Sequence, residues 1–397
     1  MMNEGHFMKV IVAHISLNPT GGGERVCLAI VEALRKGGHV VELATIDKTD
    51  WNRVGRVCGK VSFLGHELYI FKKFQVGTAG VLGDALLVAL YLLELMFLRS
   101  CEKSDVLVST CGEKVNSIAD IVYVNGTPLR CISGFAGMPP TRVCLSRLYH
   151  RILKVFDKVG GGIIVANSKF NAETLERCTG LRAVVIHPPV PLVSFADAPE
   201  KQDGTNDVVV YSRFLPEHGT DHLQWVPRIA SATTNASFLI IGPATEAAKG
   251  TISRLEKTVA KMHVESNIRI QTCSSREEYV EAVRNAKVFL RTLPHEPFGM
   301  SVVEAMAAGC VPVVPRDGGP WFDILEGKEG VYGFSYGSIS EAAEKIRMLM
   351  ENDELRTEVS ARARRRAMDF DSSVFEKRIS SIVRNVYLNK LSHHQPS

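Results

Sequence analysis

Residues 288–314 read VFLRTLPHEPFGMSVVEAMAAGCVPVV. A β-branched and aromatic run at Val288 is followed by a loop marked by Pro294, Pro297 and Gly299. The helix-forming stretch Ser301 to Ala308 comes next, then a stop at Gly309 and a second apolar run over Val311 to Val314. The reading is strand, loop, helix, strand, the repeating unit of a parallel sheet. It holds two glutamates at opposite ends of a short turn-plus-helix, Glu296 on the loop and Glu304 one turn into the helix. A carboxylate can accept from two hydroxyls at once, and charge-assisted bonds are roughly twice as strong as neutral ones, so this pair suits polyol recognition. Between them, the N–H groups that begin a helix near Gly299 to Val302 would face an anion such as a diphosphate. An isolated glutamate is ordinarily a solvated surface charge; the E-x7-E spacing joined to PFG and to the following glycine-stopped helix is what singles these two out.

The same rhythm extends outward. Asp207 to Tyr211, Ser237 to Ile241 and Asn267 to Ile270 are expected strands before it, and Ser338 to Met350, Asp353 to Met368 and Asp371 to Leu391 are expected helices after it. In the first half, Lys9 to Ala13, Val40 to Ile46, Asp105 to Ser109, Ile121 to Val124, Gly162 to Ala166 and Ala183 to Ile186 are expected strands. A Gly21–Gly23 turn there precedes a helix over Glu24 to Lys36. The proline-rich run at 187–193 and the polar stretch Ala196 to Asp207 read as a linker. The 397 residues exceed what one core usually organises, and the expected organisation is 1–195 and 196–370. Residues 371–397 are expected to be a C-terminal helix that can cross back to the first domain, plus a tail.

Composition narrows the class. Hydrophobic residues at 45% and charged residues at 23% are those of an ordinary globular protein, and a net charge of +4 is too small to argue for nucleic acid. The nine cysteines are scattered without a C-x-x-C pair, which reads as reduced thiols in a cytoplasmic setting and points to no metal site. Met8 to Ile15 reads as a structural strand rather than a secretory signal. The apolar run Val81 to Leu98, interrupted by Asp84 and Glu94, has three readings: a core helix, a helix lying on a membrane, or a span. Arg142, Arg147, Arg151, Lys154 and Lys158 recur on an expected helix, either as a solvated face or as a surface for anionic lipid.

With EPFGMSVVE at 296–304 and AAGCVPVV after it, the sequence resembles the retaining glycosyltransferases of family 4, the glycosyl transferases group 1. The resemblance implies the GT-B architecture, two Rossmann-like domains facing each other across a cleft. It also implies that Glu296 binds hydroxyls of the transferred sugar and Glu304 the ribose of the nucleotide. In VVVYSRFLPEHGTDHLQ, Arg213 matches the family's diphosphate-binding arginine, while His218 stands where the family has a lysine. Gly242 and Pro243 fall where a loop nears the nucleotide base, and Gly319 in RDGGP resembles the glycine loop over the donor. Phe298, Gly299, Met300 and Ser301 complete the implied donor contacts.

HISLNPTGGGERV, with Gly22 and Gly23 in the implied donor set, resembles the start of the α-1,2-mannosyltransferases that elongate dolichol-linked oligosaccharide, as do IVANSKFN and VIHPPV. That branch implies mannose from GDP-mannose moved to a polyprenyl-linked glycan, with the nucleotide sugar as substrate, no required cofactor, and peripheral placement on the cytosolic face of a membrane. The family's middle strand often ends in a histidine beside the reacting sugar; Asn125 stands there, able to bond a hydroxyl but not to carry a proton. Asn125 and His218 leave open a nucleotide-sugar-binding pseudoenzyme or partner subunit, and a GT-B epimerase is a further alternative.

Overall fold

The computed structural model describes residues 7–58, 65–69, 80–111, 118–126, 162–196, 206–214, 222–246 and 248–393. The chain divides into two compact units, Met1–Pro189 with Ser372–Ser397, and Val190–Asp371.

In the first unit, β1 (Lys9–His14), β2 (Val40–Thr45), β3 (Glu67–Tyr69), β4 (Val106–Ser109), β5 (Ile121–Val124), β6 (Ile163–Ala166) and β7 (Val184–Val185) form one sheet in the order β3-β2-β1-β4-β5-β6-β7. Every neighbour pair is parallel. Strands of a parallel sheet are covered on both faces, which explains why β4 and β5 are buried at every residue. Helix α1 (Gly22–Lys36) buries Val26, Ile30, Val31 and Leu34 along one stripe and ends in Arg35 and Lys36, cations suited to a helix C-terminus. Helix α2 (Trp51–Cys58) follows β2, and α3 (Gly80–Cys101) leads into β4. The described side chains of α3 bury Tyr91, Glu94, Leu95 and Leu98 and expose Leu86, Leu93, Met96 and Phe97. It is a core helix on one side with an apolar outer side. Among the described residues, no helix is long and apolar enough to cross a membrane. Helix α4 (Lys169–Thr179) is capped by the Ser168 side chain, which accepts from Asn171 N.

The second unit starts with the short α5 (Val193–Ala196). Its sheet takes β8 (Asn206–Tyr211), β9 (Phe238–Pro243), β10 (Ile268–Cys273), β11 (Ala286–Leu290), β12 (Val311–Pro315) and β13 (Phe334–Tyr336) in the order β10-β9-β8-β11-β12-β13, again all parallel. Its helices are α6 (Trp225–Ser231), α7 (Ala248–Lys261), α8 (Arg276–Arg284), α9 (Met300–Ala307), α10 (Ile339–Glu351) and α11 (Asp353–Ala367). The last helix, α12 (Ser372–His393), belongs to the first unit, where Phe375, Ile379 and Val383 are buried beside Tyr123 and Ile30.

Both sheets reverse direction of growth beside their first strand, between β1 and β4 and between β8 and β11. Such a switch point parts the loops at the carboxyl ends of adjacent strands and opens a crevice where ligands bind. Two groups of loops therefore matter: those after β1, β4 and β5, and those after β8, β9 and β11. One expectation needs correction. Gly22 and Gly23 are the first residues of α1 rather than part of the turn before it. Gly242 and Pro243 are the last residues of β9, held in register with Thr272 and Cys273, as the IIGP strand end implies. His218 and the basic run Arg142 to Lys158 lie outside the described residues.

Candidate functional site

After β11 the chain places a charged side chain at the end of a buried strand. Arg291 is buried and forks onto Glu296, its Nη2 donating to Glu296 Oε1 at 2.9 Å and its Nε to Oε2, while Nη1 donates to the Tyr211 carbonyl at 3.0 Å. A guanidinium held on both oxygens fixes the plane of the carboxylate. Each oxygen keeps a further acceptor position for a hydroxyl.

Gly299 follows with φ +97°, the left-handed region that favours glycine. A β-carbon there would lie 2.9 Å from Pro320 Cγ and 3.5 Å from Glu296 Oε2. Both backbone angle and space therefore require glycine, and the start of α9 is set beside the Glu296 carboxylate. Gly299 caps α9 without a side chain, so the first N–H groups of the helix, at Met300 and Ser301, have no intrahelical acceptor. Phe298 turns its ring into the core against Phe370, centroids 5.4 Å apart.

The pair Gly318–Gly319 braces this loop from behind. Gly319 N donates to Glu296 O at 2.8 Å, and a β-carbon on Gly318 would come within 2.7 Å of that oxygen and 2.9 Å of Glu296 N. Asp317 pairs with His295 Nδ1, accepts from His295 N at 3.1 Å and from Gly318 N at 2.6 Å. The Asp317 carboxylate raises the His295 pKa, and His295 in turn, against the opposing effect of burial, lowers that of Asp317.

Glu304 is not a solvated helix residue. It is 2% exposed, its Oε1 accepting from Arg276 Nη2 at 2.9 Å and its Oε2 from Tyr279 OH at 3.0 Å. Burial lowers the Arg276 pKa but Glu304 more than offsets it, and burial together with Glu304 pushes the Tyr279 phenol well up. Arg276 and Tyr279 therefore remain donors to a carboxylate that joins α8 to α9. Arg213 is exposed just after β8. A β-carbon on Gly242 would meet the Ser212 carbonyl and sit 2.8 Å from Phe214 Cε2. Gly242 is therefore a close-packing position.

In the first unit, Glu24 Oε2 accepts from Gly21 N at 2.7 Å, closing the turn before α1. A β-carbon on Gly23 would lie 3.6 Å from Asn125 Nδ2. Asn125 is fixed by donating Nδ2 to the Thr110 carbonyl at 2.6 Å, and its own carbonyl accepts from Asn167 Nδ2 at 2.6 Å. The structure thus gathers Gly22, Gly23 and Asn125 in one unit and Glu296, Gly299, Met300, Ser301, Gly319 and Glu304 in the other. Among the described residues no group of His, Cys, Asp and Glu is placed to hold a metal ion.

The sequence model for glycosyl transferases group 1 matches residues 195–366, a span that contains all of the Glu296 and Glu304 geometry. Residues 195–366 are a glycosyl transferases group 1 domain. The chain is 23% identical over 274 residues to the Dictyostelium discoideum GDP-Man:Man(3)GlcNAc(2)-PP-Dol alpha-1,2-mannosyltransferase, covering 63% of this chain and 53% of that protein. To the Homo sapiens protein of the same name it is 24% identical over 258 residues, 60% of this chain and 52% of the other. The chain therefore spans about half the length of the curated relatives it matches. Among solved structures it is similar to Anabaena Alr3699/HepE in complex with UDP and glucose, with TM-score 0.69, 18% identity and coverage of 95% of this chain and 99% of that one. The fold is that of the GT-B glycosyltransferases, two Rossmann-like units.

Sequence reasoning missed the partners of the glycosyltransferase domain's two glutamates. Arg291 could have been found as a charged residue at the end of a buried strand, five residues before Glu296. Arg276 and Tyr279 carry no such sign, because their meeting with Glu304 is decided by how α8 packs on α9.

Proposed function

We propose that this chain is a retaining hexosyltransferase that moves mannose from GDP-mannose to a polyprenyl-linked glycan. The observation that carries the reading is the juxtaposition of the Arg291-held Glu296 carboxylate with the uncapped start of α9. One grips sugar hydroxyls, the other an anion, and a nucleotide diphosphate sugar presents both within one molecule. Glu304, oriented by Arg276 and Tyr279, is the partner of the ribose hydroxyls in this reading. The dolichol-linked substrate in the names of the relatives supports the choice of acceptor.

In the proposed reaction the bond between sugar C1 and the diphosphate oxygen breaks, and the oxygen leaves with the electron pair. Arg213, the α9 N–H groups and, when protonated, His218 stabilise its charge, an effect worth about 3 kcal/mol per well-placed donor. The acceptor hydroxyl enters from the same face. Its proton passes to the departing phosphate oxygen, since the Asn125 amide orients a hydroxyl but takes no proton. Gly22 and Gly23 allow close backbone approach, with Gly242 and Pro243 near the base. The reaction uses the nucleotide sugar as substrate and calls on no resident cofactor. Leu86, Leu93, Met96 and Phe97 on the outer side of α3 are the described surface on which the chain would meet the membrane that carries a lipid-linked acceptor.

The test is transfer itself. Purified chain with GDP-mannose and a short polyprenyl-diphosphate glycan is expected to yield the mannosylated lipid, and Glu296→Gln to lower kcat by roughly 10²-fold. Transfer unchanged in Glu296→Gln, or nucleotide bound without any transfer, contradicts the reading.

A further inference from the structure

We infer that His14 is a positioning residue, one imidazole that fixes both the glycine turn opening α1 and the Asn125 amide. The role in transfer rests on the functional reading above; the structural linkage does not. His14 stands at the end of β1 and is buried. Its Nδ1 lies 2.7 Å from Thr110 Oγ1. Thr110 has a single hydroxyl proton, and that proton goes to the Ala13 carbonyl at 3.0 Å. With its proton on that carbonyl the hydroxyl accepts from His14 Nδ1, and in the charged imidazole Nε2 carries the second proton, toward Glu24.

Nε2 faces Glu24 Oε1 at 3.7 Å, and the other oxygen of that carboxylate holds Gly21 N. A proton on Nε2 thus orients Glu24, and Glu24 orients the turn. On the Nδ1 side, the same Thr110 that accepts from His14 receives Asn125 Nδ2 on its carbonyl. His14 is the node between the two features that line the first unit's switch point.

The surroundings favour the charged imidazole. Burial lowers its pKa, but Cys111, with Sγ 3.4 Å from Nδ1, and Glu24 outweigh this and hold it well above the ordinary value. The other titratable groups acting in this cluster are Cys27 on α1, Tyr91 and Glu94 on α3, and Asp47 after β2.

The experiment follows the glycine amides and the imidazole by NMR in the full chain labelled at glycine and histidine. Between about pH 6 and about 10, the Gly21, Gly22 and Gly23 amide shifts are expected to move with the His14 midpoint, and Glu24→Gln to lower that midpoint. His14→Gln places an amide donor where Nε2 stood, whereas His14→Asn keeps only the Thr110 bond. The Asn variant is therefore expected to raise KM for the nucleotide sugar roughly tenfold or more, with the Gln variant restoring it and its glycine amides no longer titrating. Glu24→Gln breaks the same link from the other side should a His14 variant melt below the assay temperature. Glycine amides that ignore the His14 titration, or Asn and Gln variants with the same KM, overturn the inference. A wild-type chain that transfers from no nucleotide sugar, with glycine amides still following His14, supports the positioning of the turn and defeats the functional reading instead.

Discussion

Arg291 and Glu296 divide the work of one contact: the arginine sets the plane of the carboxylate, and the carboxylate's remaining acceptor positions are left for ligand. Arg291→Lys keeps the charge and loses the fork, so sugar binding is expected to weaken while the fold persists. A mannose-competition assay that shows unchanged affinity would remove the fork's role. Glu304→Ala is expected to abolish detectable GDP binding in calorimetry, and unchanged affinity would remove the ribose assignment. The His295–Asp317 pair carries a sign with pH. Its histidine pKa is raised in the folded chain, so that its contribution is fully present below the unfolded value and lost as pH rises through the folded one. The gap in melting temperature between wild type and Asp317→Asn is accordingly expected to narrow from pH 6 to pH 9; a constant gap would mean the imidazole is not the charged partner. At this scale the positions of Glu296 on a loop and Glu304 on a helix were legible, because proline, glycine and helix formers act locally. Their partners were not, since Arg276 and Tyr279 reach Glu304 only through tertiary packing.

Helix α3 shows what an apolar run leaves undecided. Tyr91, Leu95 and Leu98 mark its core side once the fold is known, but the run is apolar on its outer side too, so periodicity alone could not orient it. Glu94 lies on the inner side, 1% exposed, and among the described residues neither carboxylate oxygen has a hydrogen-bond partner. Burial raises its pKa to about 8. A carboxyl whose folded pKa is raised contributes its full stability below the unfolded value and loses it as pH rises toward the folded one. Glu94→Gln is therefore expected to stabilise the chain by on the order of 3 kcal/mol at pH 7 and to have little effect near pH 4. Denaturant titrations at both pH values check this, and equal stabilities at pH 7 would contradict it. Strand β9 makes a complementary point. Its glycine and proline are poor strand formers, yet pairing with β10 carries the strand through Pro243, tertiary pairing overruling local propensity.

At the scale of the molecule, the alternation of strands and helices made two Rossmann-like units readable, because each strand and helix bears its own periodic signature. Sheet order was not in that pattern; it follows from which strands pair, and it is the order that creates the two switch points. The C-terminal α12 closes the core of the first unit, with Phe375 packed edge-on against Tyr123 at 6.0 Å. Phe375→Ala is expected to cost about 3–5 kcal/mol of stability in denaturant titration, and a loss below about 1 kcal/mol would mean that α12 is not part of that core. The central claim is that the Glu296 and Glu304 geometry serves transfer of a hexose with retention. The most direct measurement is NMR of the product formed from GDP-mannose and a polyprenyl-linked glycan by the purified chain. An α-linked mannose whose formation disappears in Glu296→Gln is the predicted result, and a β-linked product, or none from the wild-type chain, would contradict it.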